Sequence, residues 1–362
     1  MATGRLAYLR DPREVEIREY PVPNPDHGAL LTEVLRANVC GSELHIWRGE
    51  HPLVREAVLG HEAVCRIAET GEGVETDRAG TPVEAGDRIV PAYFLTCGHC
   101  RYCGGGEFRL CEDAYRGWSK SPAEWPHFHG TFGTHYYVYD DQFFFRVPDG
   151  LDDRLAAGAN CALSQVLCGL DRVDASLGEW VVVQGAGGLG LSALAVANER
   201  GANTIAIDGV DHRLDRATAF GADHTIDIRE YDSPEARAER VRDLTGGLGA
   251  DVGVGGTGVP DAFAEGPRLL RDGGRYLEMG NIIPEKTTAF DPGAMTRKSI
   301  TVESLMRYDP WYLQDALAFL DEHGETYPFA DLLDAEFALD EVTAALERSG
   351  ERAVTRASIV PE

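Results

Sequence analysis

Four thiols close together carry the strongest chemical signal in the chain. Cys97-x2-Cys100-x2-Cys103-x7-Cys111 has the spacing of a closed tetrahedral zinc site, and four thiolates leave no coordination position open to a substrate. A zinc held there is structural. It gathers a lobe (97–111) with few apolar residues of its own, and Gly98, Gly104, Gly105 and Gly106 let the chain wrap around the ion. A second set is dispersed: Cys40-Gly41-Ser42-Glu43-Leu44-His45, then Gly60-His61-Glu62, then Cys161. Two Cys and one His make a set that keeps a fourth position open. Singly, each has a plainer reading, a buried Cys as a small hydrophobe and a His as a satisfied core imidazole. Cys65 and Cys168 keep that plainer reading.

A third constellation binds phosphate. Val181-Val182-Val183-Gln184 leads into Gly185-Ala186-Gly187-Gly188-Leu189-Gly190, a Gly-x-Gly-x-x-Gly turn, with a helical period over Leu189–Arg200. Gly185 permits the tight turn, Gly187 bares the backbone to a pyrophosphate, and Gly190 lets helix and strand approach. The N-terminus of that helix, with Gly188 and Leu189 at the turn, offers unpaired N–H groups to the phosphates. Asp208 ends the next apolar run, where an acid accepts from both ribose hydroxyls and repels a 2′-phosphate. NAD is therefore favoured over NADP, with nearby Arg213 as the residue able to meet a phosphate instead.

The elements that must position these residues fall into two textures. Up to about residue 155 the chain reads as short β runs, such as Leu30–Leu35, Ala63–Glu69, Asp87–Ala92 and Tyr136–Tyr139, with a helical period only near Val39–Trp47. Beyond it, β runs at Trp180–Gln184, Thr204–Asp208, His224–Asp227 and Ala250–Val254 alternate with helical stretches, the pattern of a doubly wound parallel sheet. The tail after Lys298 has helical stretches at Trp311–Asp321 and Leu339–Arg348 and a β run near Ser358. Trp180–Ala197 is apolar enough to resemble a membrane span, but its central glycines favour strand, turn and helix.

Composition excludes other classes. A net charge of −26 repels phosphate backbones and anionic lipid, so neither nucleic acid nor membrane is expected as a partner. The only lysines are Lys120, Lys286 and Lys298, which suits either a salt-rich cytosol or a genome that prefers arginine codons. Residues 1–10 lack a secretory pattern and eight cysteines suit metal in a reducing compartment, so a cytoplasmic protein is expected.

Taken in order, Cys-Gly-Ser-Glu-x-His (40–45), Gly-His-Glu (60–62), Gly-Asp-Arg-Ile (86–89), the cysteine lobe and Gly-Ala-Gly-Gly-Leu-Gly (185–190) make the chain resemble the zinc-containing medium-chain dehydrogenases. The resemblance spans nearly the whole length. It implies an α/β protein with a GroES-like β-barrel catalytic domain (1–158), a Rossmann NAD-binding domain with a doubly wound parallel sheet (159–300) and a return to the catalytic domain (301–362), the cleft lying between domains. It further implies two zinc ions per chain, and Cys40, His61 and Cys161 as catalytic ligands, a Cys2His set for which alcohol dehydrogenase is itself the known example. Ser42 becomes the hydroxyl touching the reacting oxygen, His45 a proton shuttle, Glu62 a neighbour or exchanging ligand, and Glu43 a carboxylate orienting a ligand from behind.

The chain departs from the family's habit in having Glu43 for Asp and Gln165 for a Thr near the nicotinamide. Arg352 and Arg356 are both candidates for a cation that meets the pyrophosphate. The expected activity is hydride transfer between a small alcohol or carbonyl and a nicotinamide, in a homo-oligomer, dimer or tetramer. Trp47, Phe94, Trp118 and Trp125 would suit an apolar or cyclic alcohol, with a polyol, sugar or threonine-type substrate as the alternative. A zinc-free quinone reductase relative would lack the lobe and the Cys40/His61 pair.

Overall fold

Alternating apolar positions in the first part of the chain produce strands with one buried face. The computed structural model describes residues 2–51, 56–118 and 120–361. Strand β1 (Thr3–Asp11) buries Leu6, Ala7 and Leu9 and pairs antiparallel with β2 (Glu14–Pro21), a hairpin in a stretch the sequence pattern leaves unmarked. There follow β3 (Leu30–Asn38), β4 (Ala57–Val58), β5 (Glu62–Thr70), β6 (Arg88–Pro91), β7 (His135–Val138) and β8 (Phe144–Arg146). The parallel strands are β9 (Trp180–Gln184), β10 (Asn203–Asp208), β11 (His224–Asp227), β12 (Ala250–Gly255), β13 (Leu270–Glu278) and β14 (Thr301–Ser304), and the tail adds β15 (Leu333–Phe337) and β16 (Arg356–Ile359).

Contacts divide the chain into Met1–Cys161 with Asp309–Glu362, and Ala162–Tyr308. In the first unit β2-β1-β4 form one sheet, and β15-β16-β3-β5-β6-β8 form another with β7 on β3. Its core joins Leu30, Ile67, Ile89 and Phe132 to Leu339 and Ile359 of the returning tail. In the second unit the order is β11-β10-β9-β12-β13-β14, all pairs parallel. Strand order reverses between β9 and β12, and dinucleotides bind at such a switch point, outside the carboxyl ends of the strands. Val182, Ile205, Ile226 and Leu269 fill the core beneath.

The apolar run from Trp180 is β9 followed by a turn and the helix Gly188–Glu199. Among the described residues no helix is long and apolar enough to cross a membrane.

Candidate active site and dinucleotide turn

Strand register builds the dispersed cluster. β3 and β5 pair with Asn38 opposite Glu62, which brings the residues just beyond β3 beside those that open β5. Cys40 caps the helix Gly41–Trp47, and Cys161 lies in a π-helical turn, Ala159–Leu163, a distortion often found at functional positions. The ligand atoms of Cys40, His61, Glu62 and Cys161 all lie within 4.8 Å of one another, and the Cys40 and Cys161 sulfurs are 3.8 Å apart.

Buried polar partners hold this arrangement. Glu43 meets His61 Nδ1 at 2.5 Å with both side chains buried, which leaves Nε2 as the nitrogen that could ligate a metal. Glu62 is ion-paired to Arg356. Asn160 Nδ2 donates to the carbonyls of His61 at 2.9 Å and Pro91 at 2.8 Å, bracing the segments that carry His61 and Cys161. Nothing in the residue type of Asn160 marks this role in the sequence.

The electrostatics suit a cation. The Cys161 contact, with His61 behind it, holds the Cys40 thiol well below its ordinary value, while the same contact and burial hold Cys161 well above. At His61 burial opposes charge, but Cys40 and Glu43 outweigh it and raise the imidazole. Burial pushes the Glu62 carboxyl up to about 7 against the pull of Arg356. One oxygen of Glu43 and one of Glu62 are buried without a hydrogen-bond partner. A soft, borderline ion such as zinc fits two thiols, an imidazole and an underused carboxylate.

Ser42 lies half-buried in the first turn of the helix that Cys40 caps. His45 is one turn on, its Nδ1 2.6 Å from Glu50, a partner the motif alone does not announce. The two arginines separate: Arg356 opens β16 and meets Glu62, whereas Arg352 is exposed in a turn with φ 59°. Gln165 is buried and donates to the Leu305 carbonyl at 2.8 Å.

Of the four aromatic residues singled out from sequence, Trp118 lies beside a candidate ligand, its ring tilted and 5.4 Å from that of His61. Tyr93, which the sequence reading passed over, is 5.3 Å from the same imidazole. Trp47 and Phe94 are core residues, and Trp125 is 46% exposed against Tyr137. A small cavity beside Glu43 is lined by Trp118 and His129.

The four-cysteine lobe is self-contained. Cys97, Cys100, Cys103 and Cys111 converge within 4.8 Å, and the N–H groups of Cys97, Cys100 and Cys103 donate to neighbouring lobe sulfurs at 3.3–3.4 Å. Backbone N–H groups of Cys103 and Glu112 lower the Cys100 thiol to about 6. Such donors stabilise thiolates, the form that binds zinc. Arg109 fastens the lobe to Asp309 through a buried ion pair at 3.1 Å.

In the parallel-sheet unit the glycine turn is a cradle. Gly185 has φ +93°, and a Cβ at Gly190 would run into the Gly185 carbonyl. Around Gly187 and Gly188 a Cβ would meet nothing within 4 Å, and the helix that begins there has no side-chain cap. Open space over uncapped N–H groups fits a pyrophosphate. Leu189 follows in the first turn of that helix. Asp208 ends β10 and accepts from the N–H groups of Ala186, Gly209 and Val210 at 2.7–3.1 Å, with Arg213 3.7 Å away.

Comparison with known proteins agrees with this construction. Residues 26–149 match the alcohol dehydrogenase GroES-like domain and residues 188–322 the zinc-binding dehydrogenase domain. The chain is 34% identical to a 5-exo-hydroxycamphor dehydrogenase of Pseudomonas putida, covering 96% of each. It is 31% identical to a sorbitol dehydrogenase of Halalkalibacterium halodurans, covering 84% of each. An alcohol dehydrogenase from Thermotoga maritima superposes with a TM-score of 0.94 at 30% identity over all of both chains. Both domain matches and the near full-length likenesses agree, and the chain belongs to the zinc-containing medium-chain alcohol dehydrogenase family, oxidoreductases of alcohols that use zinc and a nicotinamide cofactor.

Proposed function

We propose that the protein is an NAD-dependent dehydrogenase of an apolar or cyclic alcohol, with a catalytic zinc at Cys40, His61 and Cys161 and a structural zinc at Cys97, Cys100, Cys103 and Cys111. The observation that carries the reading is the convergence of two thiols, an imidazole and a carboxylate within 4.8 Å, with Glu43 bonded behind the imidazole. When bound, zinc acidifies an alcohol hydroxyl or polarises a carbonyl, and the nicotinamide takes up or returns the hydride.

The chain's own groups do the rest. Glu43 fixes the tautomer and ring direction of His61. The Ser42 hydroxyl accepts the alcohol proton as it gives its own proton onward, and His45, oriented by Glu50, takes up that relayed proton and releases one to solvent. Glu62, tethered by Arg356, stands ready beside the ligands. At the second site Asp208 favours NAD, because a carboxylate accepts ribose hydroxyls and repels a 2′-phosphate. The aromatic rings of Trp118 and Tyr93 beside His61 and the likeness to a 5-exo-hydroxycamphor dehydrogenase support an apolar substrate. Likeness to a sorbitol dehydrogenase favours a polyol as the second reading. The family resemblance supports a homo-oligomer, dimer or tetramer, and the gathering of six cysteines into candidate metal sites supports a reducing, cytoplasmic setting.

The test is metal analysis of the purified protein together with reduction of NAD and NADP over cyclic, secondary, primary and polyol substrates. About two zinc ions per chain and NAD-linked turnover on a cyclic alcohol are expected. One zinc per chain and no turnover would overturn the catalytic centre.

A further inference from the structure

Three turns meet at the carboxyl ends of neighbouring parallel strands. A Cβ at Gly185, in the turn after β9, would touch Gly256 and Thr257 in the turn after β12. One at Gly280, in the turn after β13, would overlap the Thr257 backbone. The glycine turn, residues 256–258 and residues 279–281 are therefore one continuous wall, running from the phosphate cradle away from Asp208. In a doubly wound sheet the adenosine half lies on the β10 side of the switch point and the second nucleotide on the β12–β13 side.

Glu278, the last residue of β13, is 9% exposed. Its Oε1 accepts from the N–H of Gly280 at 2.9 Å, the N–H of Asn281 at 2.8 Å and Asn281 Nδ2 at 3.1 Å. Its Oε2 is buried without a partner and, like the Tyr276 hydroxyl, faces the space where a Cβ of Gly255 would lie. A buried carboxylate is costly unless its bonds define something. Here they define the turn 279–281, and no step of the chemistry above uses this acid.

We propose that Glu278 is a positioning residue for the nicotinamide half of the cofactor, acting by holding the turn 279–281 in place. It acts on a dinucleotide bound at the Gly185–Gly190 turn as read above. The test is titration of Glu278→Leu and Glu278→Gln with the tighter-binding of NADH and NADPH, and in parallel with ADP-ribose, which lacks the nicotinamide. Glu278→Leu should weaken dinucleotide binding about tenfold, the weight of one charge-assisted hydrogen bond, and leave ADP-ribose within about twofold. Glu278→Gln should recover most of the loss, since its carbonyl oxygen still accepts the two backbone N–H groups.

Unchanged dinucleotide affinity in Glu278→Leu overturns the assignment and leaves the cofactor reading intact. Parallel loss of dinucleotide and ADP-ribose also overturns it, making Glu278 a support of the whole sheet. Wild-type protein that binds neither ligand overturns the cofactor reading and the role of Glu278 together.

Discussion

The cysteine lobe and the dispersed cluster use the same thiol chemistry and are built in opposite ways. The N–H groups that reach the lobe's sulfurs lie within 97–113. The dispersed cluster draws residues 40, 61, 62 and 161 together, supported by Glu43 beside Cys40, Asn160 beside Cys161, and Arg356 from the returning tail. A local site can be complete before the fold is. A dispersed one is a product of the fold, and it can leave a coordination position open because the protein, not the ion, holds the ligands apart.

The sharpest break of that comparison is Cys40→Ser. Turnover should vanish and one zinc equivalent be lost, with the melting temperature nearly unchanged; full activity in the variant would end the catalytic assignment. Next comes Glu43→Ala, expected to cost about 10–100-fold in activity or metal affinity, read by chelator competition at the dispersed site while the lobe keeps its ion. Cys103→Ser should do the reverse. It should release the other zinc equivalent and lower the melting temperature by roughly 5 °C or more, and an unchanged melting curve would count against a structural lobe.

The smallest effect concerns His129, which lines the cavity beside Glu43. Burial, opposed by the Glu124 carbonyl, lowers its imidazole to about 4. Because the folded value lies below the ordinary 6.5, its neutral form stabilises the fold above about pH 6.5, and that contribution falls as pH drops toward about 4. Urea denaturation at pH 7.5 and pH 5 should therefore show a smaller loss of stability in His129→Asn than in wild type. Equal slopes would mean that His129 titrates as it does in solvent.

The same contrast explains what the sequence makes legible. Spacing identifies the lobe, and spacing with the flanking apolar strand and helical period identifies the glycine turn, because both are local and their residue types are demanded by the chemistry. β9 and β11 fall where the apolar runs predict them. The dispersed ligands needed the family motifs to be assembled, since Cys40 and Cys161 are separated by a register that no local pattern encodes. Trp118 and Tyr93 could not be sorted from Trp47, Phe94 and Trp125, because composition does not say which ring ends beside His61. Arg352 and Arg356 look alike until β16 pairs with β3 and only one of them reaches Glu62. Nothing in the sequence marks Glu50 or Glu278 out among the many acids of a chain of net charge −26.

The pairing of β16 with β3 and the Ser358–Asn38 bond at 2.9 Å also constrain how the protein is made. The parallel-sheet unit, Ala162–Tyr308, is continuous and can fold as soon as it leaves the ribosome. The unit that contains both thiol clusters must wait, its central sheet lacking two strands until synthesis reaches residue 359. Nascent chains paused before that point should therefore expose an open β3 edge and depend on chaperones, while their parallel-sheet half is already protected from protease.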